Sequence, residues 1–329
     1  YCHPLDVMVE IPMIQYCIQR LAESIVVLVV MSFLIYAVMA LMPGDPIDIM
    51  VQSDPNLTSG DAARLKALYG LDRPLGERYG HWISSAAQGD FGYSRIHNRP
   101  ALDILIPRLL NTTWLMLLSL FVSLALALPI GIYSALHHHS RADYVINFLA
   151  LGGISIPVFW LALMLIVVFS VWLGWLPAGG MHTVGEGNVL DSARHMVLPV
   201  ITLSIASIGG LTRYIRAAMI EVMRHDYIRT ARAKGLSKNT IVFKHALRNA
   251  MIPVVTVLAL SFGTLFSGAL ITETMFSYLG MGKLIYDSII GNDYNMALVS
   301  LLFATGLILF SNLAADLVYA WLDPRISYR

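Results

Sequence analysis

The residues whose types and spacing best suit a binding reaction lie between Arg213 and Arg248, in a basic segment that separates two long apolar runs. The segment holds nine lysines and arginines but only two acids, Glu221 and Asp226. A positive excess of this kind is typical of the cytoplasmic face of a membrane. It predicts a docking element that a soluble partner grips. The alternative is that the charges only set the topology of the chain.

Apolar residues recur at helical spacing on both sides of Gly235. The first stripe consists of Met219, Met223, Tyr227 and Ala231, and the second of Val242, Ala246 and Ala250. Gly235 can adopt the left-handed conformation that closes a helix, and Ser237 is a good N-cap for the next one. The pattern therefore predicts two short amphipathic helices joined by a sharp turn.

Composition indicates that membrane-spanning helices position this segment. Hydrophobic residues make up 57% of the 329 residues and charged residues 13%, against about 25% charged residues in soluble domains. Six runs approach the roughly 20 apolar residues that cross a bilayer. They are predicted near Ile25–Met42, Leu115–Leu136, Val145–Leu176, Met196–Leu211, Met251–Ile271 and Met296–Leu322. The third run contains Gly152, Gly153 and Pro157 and is expected to kink, and the fourth is the shortest.

The distribution of charge predicts the orientation of the chain. Thirteen of the 22 lysines and arginines share the side of the basic segment, and seven of the other nine lie in one long loop, which translocates regardless of charge. Both termini are therefore predicted to be cytoplasmic. The predicted organisation is an N-terminal segment 1–24, with 1–12 as an upstream extension, a transmembrane domain 25–322 and a tail 323–329. Within the transmembrane domain, residues 43–111 form an extracytoplasmic insertion with a short helix near 58–68, and residues 213–250 form a cytoplasmic loop.

Three residues in the spans are candidates for a gate or for a transport pathway. Glu273 lies at the outer end of the fifth span, where ionisable groups are costly and usually functional. The alternative is a carboxylate that is hydrogen-bonded to neighbouring helices. Asp316, in the last span, has the same two interpretations, the second being a cap or a pair near Arg325. Pro157 is either a packing kink or part of a broken helix beside the pathway.

Neither histidine nor cysteine predicts a metal site. The run His137–His139 is interpreted as a solvated turn. Cys2 and Cys17 both precede the first span, on the side where thiols stay reduced, so they predict no disulfide framework and no metal knuckle. The phosphate-binding pattern G-x-x-x-x-G-K-[ST] is absent, so the chain is not expected to bind ATP itself.

Several further motifs occur in one order along the chain. They are Met42–Pro46, Leu71–Leu75, Gly89–Ser94, Ser155–Trp160, Asp226–Gly235, Glu273–Gly280 and Asp316–Arg325. From about Met13 to the end, the chain resembles permease subunits of oligopeptide/dipeptide-type ATP-binding-cassette (ABC) importers. In the E-A-A-x-x-x-G signature of such permeases, Arg229 fills the glutamate position, which puts in doubt only a salt-bridge role for that position.

The resemblance implies an all-α integral membrane protein with the type I ABC importer permease fold, six transmembrane helices and one long extracytoplasmic loop. It implies a heterodimer with a second homologous permease, two cytosolic ATPase subunits that bind ATP and magnesium, a substrate-binding protein outside, and the bacterial inner membrane as the location. Membrane lipid is expected to surround the chain, with no nucleic-acid partner. The long outside loop either contacts the binding protein or is a passive cap. Relatives of this type carry peptides, but nickel, glutathione and opines remain open as cargo.

The same resemblance assigns coupling to the ATPase to the basic segment, as a helix-in-groove contact. The coupling residues are Asp226, Tyr227, Arg229, Thr230, Ala231, Arg232, Ala233, Lys234, Gly235 and Leu236. Arg229, Arg232 and Lys234 are expected at the rim of this contact. No catalytic, cofactor-binding or metal-binding residue is assigned.

Two other classes of membrane protein fit the sequence less well. An intramembrane protease needs facing aspartates, an H-E-x-x-H helix or a G-x-S-x-G serine, and none of these is present. A secondary transporter or channel that works without ATP typically shows related halves and charged residues near the bilayer midplane. The predicted spans are nearly free of charge at their centres, so the ATP-coupled permease is favoured.

Overall fold

A computed structural model describes residues 13–41, 60, 73–185 and 188–322, and these residues are mostly helical. Four of the sequence predictions lie outside the described residues: the 1–12 extension, the helix near 58–68 apart from Gly60, the pairing of Asp316 with Arg325, and the tail 323–329.

The helices follow the order of the predicted spans. In chain order the elements are α1 (Met13–Leu41), α2 (Leu75–Ala87), β1 (Tyr93–Ser94), β2 (Arg99–Pro100), α3 (Ala101–Leu136), α4 (Arg141–Ser155), α5 (Val158–Leu165) with a π-helical continuation (Ile166–Trp172), α6 (Val189–Val222), α7 (Asp226–Ala233), a π-helical segment (Thr240–Ala246), α8 (Leu247–Met275), α9 (Met281–Ile290) and α10 (Tyr294–Leu322). Strands β1 and β2 pair antiparallel, with Tyr93 opposite Pro100.

Within the described residues, five helices are long and apolar enough to cross a membrane, and α4 with α5 makes a sixth span if the bent pair counts as one. The pair is bent by 100°. Pro157 lies at the break with φ −61° and ψ 133°, and Ile156 before it is extended. The residue before a proline is disfavoured in helical conformation, so the predicted kink in the third span is confirmed with its cause.

The predicted fourth span, Met196–Leu211, is too short. Helix α6 has 34 residues and begins where the Asn188 side chain accepts a hydrogen bond from Asp191 N at 2.7 Å. Polar residues such as Asp191 and His195 lie inside it, because the loop that precedes the helix covers them and supplies hydrogen-bond partners. An apolar run in the sequence therefore marks only the middle of this helix.

The same extension changes the basic segment. Residues 213–222 continue α6, and residues 240–250 lead through π-helical turns into α8. The predicted pair of short helices is wrong: one short helix, α7, lies between two long ones. Residues 101–111, predicted as part of the outside insertion, belong likewise to α3.

Two apolar clusters lie at opposite ends of the bundle. The first joins α3, α6, α8, α9 and α10 around Leu105, Met116 and Met281. It lies beside the hairpin β1–β2, and we call this end the hairpin end. The second joins α3, α6, α7 and α8 around Ile215, Met219 and Ile228, beside residues 137–140 and 223–246, and we call this end the basic end.

The hairpin is held to the bundle by polar contacts. Ser94 Oγ donates to Asp293 Oδ2 at 2.5 Å, and Ile96 N donates to the same oxygen at 3.1 Å. Asn295 Nδ2 donates to Phe91 O at 2.9 Å. Asp293 is 1% exposed and precedes α10, so the hairpin is fixed to the start of the last span.

Candidate functional site

Helix α7 at the basic end is short because both of its ends are fixed locally. Helix α6 stops at Val222, and His225 is extended with ψ 149°, so the chain turns before α7 begins at Asp226. Asp226 in the first turn and Arg232 in the last turn both interact favourably with the helix dipole.

Gly235 closes α7 as the sequence predicts. Its φ is +75°, in the left-handed region that glycine adopts without strain. Gly235 N donates to Arg232 O at 3.0 Å, and Leu236 N donates to Ala231 O at 3.3 Å. These two bonds form a Schellman motif, which satisfies carbonyls that would otherwise lack partners at the helix end.

Ser237 starts the next helical segment, which confirms its prediction as an N-cap. Thr240 N donates to Ser237 Oγ at 3.3 Å, and Ile241 N donates to Ser237 O at 3.0 Å. Across the turn, Asn249 Nδ2 donates to Tyr227 Oη at 3.0 Å. The orientation of α7 is therefore set by its own closing turn and by a side-chain bond to α8.

One face of α7 is buried in the chain itself. Ile228 is fully buried and Ala231 is 6% exposed, and both pack against α6 and the π-helical segment that precedes α8. The predicted stripe from Met219 to Ala231 is interrupted, because the chain leaves helical geometry at His225. Direct contact of the Ala231 side chain with a partner does not fit this burial; Ala231 instead anchors α7.

The opposite face of α7 is open to solvent. Its exposed residues are Asp226, Tyr227, Arg229, Thr230, Arg232, Ala233, Lys234, Gly235 and Leu236. Asp226 and Arg229 form an ion pair at 3.3 Å, with 92% and 78% of their side chains exposed. A pair this exposed stabilises the helix little, so both groups are available to a partner.

Glu273 lies at the hairpin end and is fully buried. Thr112 Oγ1 donates to one carboxylate oxygen at 2.5 Å, and Gly282 N and Lys283 N donate to the other at 2.7 and 3.2 Å. The carboxylate therefore caps the first turn of α9, where free amides and the helix dipole favour a negative group. This arrangement is the hydrogen-bonded alternative of the sequence analysis.

The backbone at Gly280 lies so close to the Glu273 carboxylate that no side chain fits between them. A Cβ at Gly280 would lie 2.2 Å from Glu273 Oε1, so only glycine fits there. Tyr278 packs beside it and donates through Oη to Asn111 O at 3.2 Å. Burial, with a smaller effect of Glu273, raises the pKa of Tyr278 to about 12. Tyr278 therefore stays neutral and keeps donating its proton.

The other two candidate gate residues lie apart from Glu273. Pro157 is exposed at the bend between α4 and α5. Asp316, on α10, pairs with Arg20 Nε on α1 at 3.3 Å, which joins the first and last spans near the basic end. The structure does not bring Glu273, Pro157 and Asp316 into one site.

The histidine run forms the turn between α3 and α4. His137 Nδ1 lies 3.0 Å from Tyr133 O, and His139 has φ +66°. Among the described residues, no group of three or more His, Cys, Asp or Glu is placed to hold a metal ion.

Sequence reasoning missed a buried ion pair at this turn. Arg216 Nε and Nη2 donate to the two oxygens of Asp143 at 2.7 and 2.8 Å. The sequence held a local signal for Asp143 but not for Arg216. Ser140 and Asp143 have capping-box spacing, and Ser140 Oγ accepts a hydrogen bond from Asp143 N at 3.2 Å. The partners are 73 positions apart in the sequence, so no local pattern indicates the pair itself.

Comparison with known proteins gives consistent matches over nearly the whole chain. Residues 127–328 match the family described as "Binding-protein-dependent transport system inner membrane component". Residues 13–116 match the family described as "Binding-prot-dependent transport system membrane comp, N-term".

Similar curated proteins cover nearly the whole chain. The oligopeptide transport system permease protein AppB of Bacillus subtilis (strain 168) is 40% identical over 96% of this chain and 100% of its own length. The glutathione transport system permease protein GsiC of Escherichia coli (strain K12) is 38% identical over 96% of this chain and 100% of its own length.

Solved structures extend the likeness to the fold. The native crystal form described as "Inward facing conformations of the MetNI methionine ABC transporter" matches with a TM-score of 0.57 and 17% identity, over 68% of this chain and 97% of that chain. Its selenomethionine-soak form matches with a TM-score of 0.54 over 66% of this chain and 95% of that chain. At this identity the likeness concerns the fold alone.

Proposed function

This chain belongs to the family of inner-membrane components of binding-protein-dependent transport systems, and we propose that it forms half of a membrane pathway for peptides. It is a permease subunit of an ABC importer and a multi-pass inner-membrane protein, with the type I fold that the sequence analysis expects. Peptide cargo is supported by the names of two relatives, one an oligopeptide and the other a glutathione permease.

The exposed face of α7 is proposed as the surface that binds a cytosolic ATPase. The observation that carries this proposal is a short helix anchored by one apolar face and open on the other, between two spans. Such a helix can enter a groove on a partner while its buried face passes the force into α6 and α8. Its arginines and lysine agree with a cytoplasmic location, with both termini on the same side.

The remaining partners are proposed from family membership. A second homologous permease completes the pathway, two ATPase subunits bind ATP and magnesium below it, and a substrate-binding protein delivers cargo to the hairpin end. The hairpin offers a fixed surface there, next to α2, because the bonds of Ser94 and Asn295 hold it to the start of α10.

The three candidate gate residues receive separate roles in this proposal. Glu273 acts indirectly, by holding α9 against α3 and α8 at the outer mouth. Pro157 supplies the bend that α4 and α5 use during opening. Asp316 keeps α1 on α10 through Arg20.

Site-directed cross-linking tests the assignment of α7. A cysteine at Thr230, introduced after Cys2 and Cys17 are replaced by serine, should cross-link to the ATPase subunit in the assembled complex. A cysteine at Tyr93 on the hairpin, which is 67% exposed, serves as the control and should not. Equal cross-linking at both sites, or none at Thr230 in a complex that still transports, would refute the assignment.

A further inference from the structure

The carboxylate of Asp143 collects donors from three parts of the basic end. It accepts both Arg216 bonds from α6, Ser134 Oγ from α3 at 2.5 Å and His139 N from the turn at 3.0 Å. Asn147 Nδ2 on α4 adds a fifth bond at 2.9 Å. Asp143 is 1% exposed, and a bidentate arginine–carboxylate pair fixes orientation as well as distance.

At the basic end, the bonds of Asp143 join the start of α4 to α3 and α6. The apolar cluster there takes residues from α3, α6, α7 and α8, but among the described residues none from α4. Packed side chains therefore connect α7 with α3 and α6. The bonds of Asp143 connect α3 and α6 with the start of α4.

A close backbone contact of α4 with α6 lies about two turns further along. A Cβ at Gly209 would lie 2.4 Å from Ala150 O, so the two backbones touch there. Asp143 and Ala150 are seven residues apart, which is about 10 Å along a helix. An apolar cleft of about 570 Å³, lined by residues of α3, α4 and α6, lies along this stretch. If the Asp143 bonds were lost, the start of α4 would have the space of this cleft beside it.

We propose that Asp143 and Arg216 are positioning residues for coupling: their ion pair makes α4, and with it the bent span, follow α7 during the ATPase cycle. The inference rests on the proposed function of α7. It adds that the force leaves α6 for α4 at one polar contact, and that breaking this contact separates ATP hydrolysis from transport.

The test uses the complete complex, with its binding protein, second permease and ATPase subunits, in proteoliposomes. For Asp143→Asn, the ATPase subunits should co-purify as in the wild type and hydrolysis should continue, while cargo transported per ATP falls about tenfold, within the usual range of coupling between sites. Asp287→Asn is the control: it removes another ion pair, with Lys283 on α9, and should leave the amount of cargo transported per ATP unchanged. The double exchange Asp143→Arg with Arg216→Asp should bring the amount of cargo transported per ATP part of the way back to the wild-type value.

A distance measurement between α7 and α4 tests the proposal with Asp143 and Arg216 left unchanged. Spin labels at Arg224, beside α7, and Tyr144, which is 64% exposed on α4, should keep one separation in nucleotide-free and nucleotide-bound complexes. A separation that changes with nucleotide would overturn the proposal, as would a wild-type transport ratio in Asp143→Asn. Failure of the proposed function has a different signature, which is a wild-type complex whose ATPase does not cross-link to α7.

Discussion

Replacing Gly235 by valine tests the closing turn of α7 most directly. A side chain at φ +75° is strained whatever the free space, and nothing lies within 4 Å of the added Cβ. The change therefore acts through the backbone alone. The Schellman bonds from Gly235 N and Leu236 N should weaken, and the exposed face of α7 should tilt away from the ATPase.

The magnitudes favour a local effect over unfolding. A non-glycine residue in the left-handed region costs about 1–2 kcal/mol. Burial of Ile228, the main apolar anchor of α7, contributes about 1.5–3 kcal/mol. Strain of similar size can displace this one helix, whereas the six spans keep their own packing. A loss of about 1.4 kcal/mol at the contact surface lowers affinity about tenfold.

The assay measures binding of purified ATPase subunits to the detergent-solubilised permease pair, together with transport after reconstitution. Gly235→Val should bind about tenfold more weakly and transport little, while inserting at wild-type levels. Gly235→Asn should recover much of both, because asparagine tolerates the left-handed region. Gly89, which follows α2 with φ +86° and open space around it, provides the matched control: Gly89→Val should bind the ATPase normally.

Unaltered ATPase affinity and transport in Gly235→Val would refute the reasoning. Equal loss of ATPase binding in Gly89→Val would also refute it, because strain at the hairpin end should not reach α7.

Substitutions at three further positions probe the contacts that hold the bundle. Glu273→Ala should lower the stability of the permease by about 3 kcal/mol, because buried donors lose their acceptor, and Glu273→Gln by less; thermal unfolding in detergent measures both. Gly209→Val should prevent close packing on Ala150 O and reduce the amount of folded protein on size-exclusion chromatography, whereas insertion without loss would contradict the contact. Ser94→Ala should cost about 1–3 kcal/mol at the buried Asp293 and speed protease cleavage of the hairpin, with no change in ATPase binding.

Much of the fold follows from residue order alone. Within the described residues, the apolar runs located the five long helices and the bent pair α4–α5, because a helix in lipid needs a long apolar stretch wherever it lies. Pro157 gave the bend in the third span, and Gly235 and Ser237 gave the turn after α7. Each of these signals acts on its own backbone, so no knowledge of distant residues is needed to interpret it.

The ends of helices and the faces of α7 could not be predicted in this way. Helix α6 extends past its apolar run because the preceding loop supplies hydrogen-bond partners for Asp191 and His195, which are polar and would otherwise mark a boundary. The four-residue stripe through Ala231 suggested one continuous face. The break at His225 instead turned Ile228 and Ala231 inward together.

By itself, the sequence determined the membrane class of this protein, its six spans, its bend and its glycine turn, since hydrophobicity and local backbone preference depend only on neighbouring residues. Only the tertiary structure decided which charged groups are buried and which residues are their partners. Asp143 meets Arg216, and Glu273 meets the amides of α9, because helix packing brings distant segments within hydrogen-bond reach. A buried charge needs such partners to offset its lost hydration, and the partners are chosen by the fold.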